Sequence, residues 1–492
     1  MVKARCAGRE VVRYGFFEKI WRLLEEGVNL IVLEAPTGCG KTEAVSIPFI
    51  AQLSEGSPLW SSLIFALPMR SLAHSMRERL SGALGALGAR WVTVTIDHGD
   101  LCFRRPFLEG DIAVTTYDAL LYTFYGFRRR GYHLLLPVGK VGSSLVVMDE
   151  TQLLQDTFWY SMSLLPAHVF SLLTFGAQVI VMTATMPPPL REELLDRYKM
   201  PMGVEQEWVR ATDRPARGRI EIELRNAPLP TKGDDLRRLL DDVLEVPGPP
   251  ILIVLNKVAK AVEVYKALKP LEKEGIKVKL LHSRLRRGVR EDVETFLERE
   301  GRRAPPLVLV STQVVEAGLD YDFKVLITEI SPIDSLTQRI GRIARRPEMK
   351  DGGKAIIFLD RDAASGVYPD EIIERTLKTV KGEEGLLLRA PSDVEAAAAL
   401  MGEVYTREVV RRLQESVISC IRKVRSMIGG FREHVLRARY ERLRDGLLRL
   451  GVEVKCWLAR DEYERQILSG ETIEIPLKEF VENIIPLSVS KA

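Results

Sequence analysis

Along the 492 residues, short unbroken apolar runs take turns with stretches in which apolar side chains recur every three to four positions. The first pattern is that of strands covered on both faces, the second that of amphipathic helices. Phe16, Phe17, Ile20, Leu23 and Leu24 predict a helix over about 15–27, followed by a strand at Ile31, Val32 and Leu33 and a helix opening at Lys41-Thr42. Further strands are expected at 63–67, 91–96, 112–115, 145–148 and 179–182, and Thr116-Tyr117-Asp118 is expected to cap a helix. From Pro187 to Pro215 the pattern blurs into a connector. Strands then resume at 251–255, 278–281, 307–310, 325–328 and 355–359. Past Tyr368 the strand signals fade, and Val409, Val410, Leu413, Val417, Ile421 and Val424 repeat at helical spacing.

This alternation predicts an α/β protein built on two parallel, doubly wound sheets, with a mainly helical region at the end. The expected boundaries are 1–215, 216–370 and 371–492. In such sheets ligands lie at the carboxyl ends of the strands. The polar clusters Pro68-Met69-Arg70-Ser71, Thr115-Thr116, Asp149-Glu150 and Thr183-Ala184-Thr185 all fall at such ends.

Composition narrows the class. A hydrophobic fraction of 46% with 28% charged residues is that of a globular chain, and its length allows several cores. A net charge of +4 means that any nucleic-acid surface is local. The five cysteines are scattered, with no CxxC pair, which argues against a disulfide framework or zinc site and for a reducing cytoplasm. No apolar run approaches ~18 residues and the N-terminus reads as polar and helical, so neither a membrane span nor a signal peptide is expected.

The chemistry begins at Ala35-Pro36-Thr37-Gly38-Cys39-Gly40-Lys41-Thr42, between a strand and a helix. A loop of this kind turns backbone N–H groups toward an anion, while Lys41 can reach the terminal phosphates of ATP and the Thr42 hydroxyl can ligate Mg²⁺. Ala35 stands where the usual pattern has its first glycine. Cys39 within the loop reads as a small filler, although a thiol there would make ATP binding sensitive to alkylation. About 100 residues on, Asp149 is placed to hold Mg²⁺ and Glu150 to polarise the attacking water. In the second block, Gln338, Arg342 and Arg345 form a cluster in which the two arginines, three residues apart, are expected on one helical face. Guanidinium groups suit the spread charge of a transferring phosphoryl group. Upstream, residues 311–320 supply hydroxyls suited to a nucleic-acid phosphate, and Gly318 and Asp320 are expected at the nucleotide, Asp320 accepting from a ribose hydroxyl.

In this order the motifs resemble those of superfamily 2 helicases: 35–42 motif I, 68–72 motif Ia, 115–116 motif Ib, 149–152 motif II, 183–185 motif III, 255–257 motif IV, 311–320 motif V and 338–345 motif VI. Within that superfamily the chain most resembles the helicase of type I CRISPR interference, through Leu67-Pro68-Met69-Arg70-Ser71-Leu72, the Asp-Glu-x-Gln motif II and Met182-Thr183-Ala184-Thr185-Met186-Pro187. The resemblance implies two RecA-like domains with ATP and Mg²⁺ in the cleft between them, and 3′ to 5′ movement on single-stranded DNA. It implies a grip by Arg70, Thr115 and Thr116 on one side and by Asn256, Ser283 and Thr312 on the other. Thr183 and Thr185 would couple hydrolysis to movement. A guide-RNA surveillance complex is the implied partner, with no membrane.

Two features depart from that family. Its members commonly carry a metal nuclease domain built on a His-Asp dipeptide, whereas this chain has no His-Asp dipeptide and some thirty residues before the phosphate loop. The resemblance therefore implies a stand-alone helicase working with a separate HD nuclease subunit. Phe17 stands where such helicases often place an adenine-reading Gln, which leaves nucleotide selectivity open. The alternatives are a general RNA or DNA-repair helicase of the same superfamily, and a nucleotide-dependent switch that binds nucleic acid without translocating. His98 and His282, at strand ends, could lie near nucleic acid, as could Arg128-Arg129-Arg130, Arg284-Leu285-Arg286-Arg287 and the basic stretch 422–449.

Overall fold

The computed structural model describes residues 2–6, 9–36, 38–56, 58–98, 108–125, 135–154, 156–213, 217–245, 248–300, 306–316, 321–345, 352–429, 452–457 and 484–489. Thr37, residues 128–130, His133, Gly318, Asp320, His434 and 430–449 fall outside them. The chain divides into two compact units, Met1–Pro215 with Gly385–Leu450, and Ala216–Glu384 with Gly451–Ala492.

The N-terminus, expected to be helical, forms an antiparallel pair, β1 (Val2–Cys6) with β2 (Arg9–Arg13). Val2, Ala4 and Cys6 alternate with Lys3 and Arg5, the period of a strand rather than a helix. The strands of the first unit's main sheet are β3 (Leu30–Glu34), β4 (Leu63–Leu67), β5 (Val94–Asp97), β6 (Ile112–Thr116), β7 (Leu145–Met148), β8 (Gln178–Thr183) and β9 (Gln206–Arg210). They lie in the order β5-β6-β4-β7-β8-β3-β9, every neighbouring pair parallel. All residues of β3, β4, β6, β7 and β8 are buried, which is why these strands read as continuous apolar runs. Two expectations shift. The strand expected over 91–96 begins at Val94, because Trp91 lies 56% exposed in a turn. The supposed connector after Pro187 contains a helix, Pro188–Leu194, and the edge strand β9, whose half-exposed residues lack an apolar run.

The second unit is a parallel sheet of β10 (Ile220–Arg225), β11 (Ile251–Val254), β12 (Lys277–Leu281), β13 (Leu307–Ser311), β14 (Val325–Glu329) and β15 (Gly353–Phe358). Its order is β10-β15-β14-β11-β13-β12. The edge strand β10 escaped the sequence reading because Glu221, Glu223 and Arg225 break its apolar pattern. The helix Gly233–Glu245 covers the sheet with Leu236, Leu239, Leu240 and Val243, and these join Ile251, Ile253, Val308, Val310 and Ile356 in one core.

The fold is thus the expected pair of parallel α/β domains with a helical C-terminal region. Of that region, Ile418–Gly429 packs within the first unit, where the Arg425 guanidinium reaches Glu193 Oε1 at 2.6 Å and the Ser163 carbonyl at 3.1 Å. A final antiparallel pair, β16 (Val452–Trp457) with β17 (Ile484–Val489), interrupts its helical character. Among the described residues no helix is long and apolar enough to cross a membrane.

Candidate active site

The phosphate loop leaves β3 at Glu34 and enters the helix Lys41–Ser54. Gly38 and Gly40 both hold φ near +83°, a region that side chains resist. At Gly40 the constraint is doubled, since a Cβ there would stand 2.8 Å from Cζ of Phe17. Phe17 therefore lies directly on the phosphate loop, with Phe16 edge-on to it at 4.9 Å. Lys41 is 8% exposed and its Nζ donates to the carbonyls of Ala35 at 3.1 Å and Pro36 at 3.3 Å. Thr42, also buried, follows at the second helical position.

Cys39 is almost wholly buried and its thiol donates to the Pro36 carbonyl at 2.9 Å. Burial pushes its pKa up, against the pull of Lys41. This fits a small filler, and the thiol is slow to alkylate, because only the thiolate reacts and a raised pKa leaves less of it at neutral pH than the few per cent of a free cysteine. At pH 7.5, N-ethylmaleimide should label the partly exposed Cys420 well before Cys39, and Cys39 labelling should rise only as the pH goes alkaline. Peptide mass spectrometry reads this directly; equal labelling at pH 7.5 would contradict it.

Behind the loop, β7 delivers Asp149 and Glu150. Asp149 is buried and its Oδ1 accepts the Glu150 N–H at 2.8 Å. Burial and the Glu150 carboxylate raise its pKa to about 7, while Lys41 pulls the other way. Glu150 itself sits at φ +54°, an outlier for a residue with a side chain. Its carboxylate accepts from the Gln152 amide, whose oxygen in turn accepts from the Thr183 hydroxyl; Thr183 Oγ1 then accepts the Thr185 N–H at 3.1 Å. Motif II and motif III are therefore one hydrogen-bonded chain: Glu150, Gln152, Thr183, Thr185. Gln152 is the link the sequence reading left without a role.

In the second unit the helix Ile333–Ile340 carries Gln338, which is 8% exposed. Neither amide atom of Gln338 has a hydrogen-bond partner among the described residues. Buried amides are rarely left so, and the vacancy fits a polar ligand such as a nucleotide phosphate or ribose. Arg342 and Arg345 are not on the helical face expected of them. The helix stops at Ile340, Ile343 bridges to Phe323, and Ala344 turns to φ +48°, so both arginines stand on a tight turn. Arg342 donates to the Glu316 carbonyl, and the Arg345 N–H to Asp322 Oδ1 at 2.9 Å.

Arg339 lies between these residues, wholly buried. It donates from Nε to Glu316 Oε1 at 2.8 Å, from Nη1 to Thr328 Oγ1 and the Glu329 carbonyl, and from Nη2 to Asn256 Oδ1 and the Tyr368 hydroxyl. Asn256 is consequently not presented for a grip on nucleic acid. Its amide nitrogen is spent on the Ile330 carbonyl at 2.8 Å and its oxygen on Arg339. Thr115, fully buried, likewise donates its hydroxyl to the Asp97 carbonyl at 2.6 Å. Thr116 caps the helix Tyr117–Phe124 by accepting from the Ala119 N–H, and Thr312 is buried after β13. Arg70 is half-buried at the start of the helix Arg70–Ala86, and Ser283 is exposed. His282 accepts the Arg284 N–H at 3.1 Å, and burial lowers its pKa; His98 pairs with His74 at 2.9 Å.

One more group escaped notice in the sequence. Glu34, buried at the end of β3, pairs with Arg210 at 3.3 Å and Arg191 at 3.6 Å, and the two guanidiniums lie over the Trp208 ring at 4.4 and 4.5 Å. These four residues brace the stem of the phosphate loop.

A family model described as DEAD/DEAH box helicase matches residues 18–193, and one described as CRISPR-associated nuclease/helicase Cas3, C-terminal, matches residues 248–348. The chain is thus similar to Cas3-type helicases of superfamily 2. Among Cas3 relatives, the CRISPR-associated helicase Cas3 of Thermoproteus tenax is 28% identical over 413 residues, 80% of this chain and 67% of its own length. The CRISPR-associated nuclease/helicase Cas3 of Methanothermobacter thermautotrophicus is 28% identical over 424 residues, 79% of this chain and 47% of its own. The crystal structure of T. fusca Cas3 has the same fold, with a TM-score of 0.72 at 19% identity over 98% of this chain and 64% of that one. The chain thus spans between about half and two thirds of the length of these Cas3 proteins.

Proposed function

We propose that the chain is an ATP-dependent translocase that unwinds DNA by moving 3′ to 5′ along a single strand, in type I CRISPR interference. The observation that carries the reading is the unbroken link Glu150–Gln152–Thr183–Thr185. It ties the carboxylate that would orient the attacking water to the segment expected to couple hydrolysis to movement, and a passive nucleotide-binding switch has no use for such a link.

In this reading Ala35 to Thr42, with Gly318 and Asp320, hold the nucleotide, and Lys41 carries the charge of its phosphates. Thr42 and Asp149 would hold Mg²⁺, which when bound supplies neutralising charge at the phosphates. Glu150 orients the water and accepts its proton. Gln338, Arg342 and Arg345 stabilise the negative charge that builds up as the phosphoryl group transfers. Arg70 and Ser283 contact the strand through its backbone, and such contacts are tolerant of sequence.

A structure named CRISPR RNA-guided surveillance complex, pre-nicking, contains a chain of the same fold, with a TM-score of 0.63 over 97% of this chain. That likeness supports a surveillance complex as partner here too.

Steady-state ATP hydrolysis by the purified chain should be stimulated strongly by single-stranded DNA and little by duplex DNA or single-stranded RNA. A duplex with a 3′ tail should be unwound and one with a 5′ tail left intact. Stimulation mainly by RNA would move the chain to the RNA-helicase reading. Hydrolysis indifferent to all three would favour the switch.

A further inference from the structure

Past Ile340 the chain keeps two short helical bonds, the Arg342 N–H to the Arg339 carbonyl at 2.9 Å and the Ile343 N–H to the Ile340 carbonyl at 3.3 Å, and then leaves the helix at Ala344. The carbonyls of Ile340, Ile343 and Ala344 also meet the segment with which the second unit begins. Arg217 Nη2 donates to the carbonyls of Ile340 at 3.3 Å and Ile343 at 2.7 Å. The next residue, Gly218, donates its N–H to the Ala344 carbonyl at 3.0 Å. From the other side, the Phe323 N–H reaches the Arg342 carbonyl and the Ala344 N–H reaches the Phe323 carbonyl, both at 3.0 Å. Arg342 is thus bracketed by two carbonyls bound to a single guanidinium.

Carbonyls at a helix end commonly turn to water or to a glycine cap. Here a cation sits on them, favoured by the negative end of the helix dipole. Burial and the neighbouring Arg345 guanidinium push the Arg217 pKa down to about 10, and Asp322 opposes that shift, so Arg217 stays charged at neutral pH. Its Nε has no hydrogen-bond partner among the described residues, so its contacts with the turn come through Nη2.

We propose that Arg217 is a positioning residue for ATP hydrolysis, fixing the shape of the turn from which Arg342 and Arg345 act. Stabilisation by fixed charges works because they need no reorganisation at the moment of reaction, and a misplacement of about 1 Å can cost on the order of a hundredfold. Among the described residues Arg217 makes its hydrogen bonds to backbone carbonyls only. Its removal leaves both arginines present but their support loosened, which should slow the chemical step and spare nucleotide binding.

This inference rests on the hydrolysis reading above. The test is steady-state ATPase of the full chain with single-stranded DNA, alongside the affinity for a fluorescent ATP analogue and a thermal melt. Arg217→Ala should lower kcat on the order of tenfold, with KM and analogue affinity within about twofold of the parent. Arg217→Lys should recover part of the loss, since an ammonium can still reach the Ile343 carbonyl. Arg219→Ala, two residues away and exposed, should match the parent. An unchanged kcat in Arg217→Ala, or a raised KM at constant kcat, overturns the proposal. If Arg217→Ala does not fold, Arg217→Lys decides alone: a lower kcat at constant KM supports the proposal and an unchanged kcat overturns it. A parent chain that never hydrolyses ATP takes down the underlying reading and this inference with it, whereas an active parent matched by Arg217→Ala takes down the inference only.

Discussion

Lys41→Ala should reduce ATP turnover at least about a hundredfold, the loss typical when one preorganised charge is removed from a developing anion. The geometry makes the substitution costly twice over. Lys41 is the cation beside the loop, anchored on the Ala35 and Pro36 carbonyls. It also lowers the pKa of Asp149, which burial and Glu150 have raised to about 7. Without Lys41 that carboxyl shifts further toward its neutral form, so Mg²⁺ must displace a proton more often at neutral pH. The variant should therefore need more Mg²⁺ for half-maximal turnover as well as losing turnover, and the turnover deficit should shrink slightly as pH rises from 7 to 8.5. The fold should survive, since the freed carbonyls border the loop and can take water. A variant that hydrolyses ATP within about threefold of the parent would refute Lys41 as the phosphate-binding charge.

Arg339→Ala should destabilise the second unit by about 3–5 kcal/mol, the range found when one partner of a buried ion pair is deleted. Five donor contacts from Arg339 satisfy Glu316, Thr328, Glu329, Asn256 and Tyr368. Deleting it strands the Glu316 carboxylate, which is 5% exposed. At roughly 2–4 °C per kcal/mol for a unit of this size, the melting temperature should fall by about 10 °C. Calorimetry would register this as a shift of the second unit's transition. Arg339→Met combined with Glu316→Leu should recover a good part of the loss, because removing both charges leaves neither stranded. A fall of less than about 2 °C in the single variant would mean that water reaches Glu316 and the hub is not sealed.

This hub also shows where sequence reading stops. Arg339 and Arg342 look alike in the sequence, as neighbouring basic residues of one motif, yet one is a structural centre with no exposure and the other stands on the turn. Nucleic-acid contacts at Asn256 and Thr115 were implied by the family resemblance. Their side chains turn out to close hydrogen bonds inside their own units. Cys39 was read as a small filler whose thiol could still react, and burial keeps that thiol protonated near neutral pH.

The sequence by itself determined the two parallel sheets, because strands buried on both faces must be written as continuous apolar runs. It also determined the phosphate loop and the Asp149-Glu150 pair, because both are local: glycines, a lysine and carboxylates within a few residues of a strand end. Edge strands such as β9 and β10 were lost, since half-exposed strands mix charge into their pattern. Only the tertiary structure decided which polar residues are spent and which remain available, because a hydrogen-bond partner such as Glu316 for Arg339, Gln152 for Thr183 or Arg217 for the Ile343 carbonyl lies tens of residues away in the chain. Side-chain chemistry can be read in one dimension, but whether a donor is already satisfied depends on what folding brings within 3 Å of it.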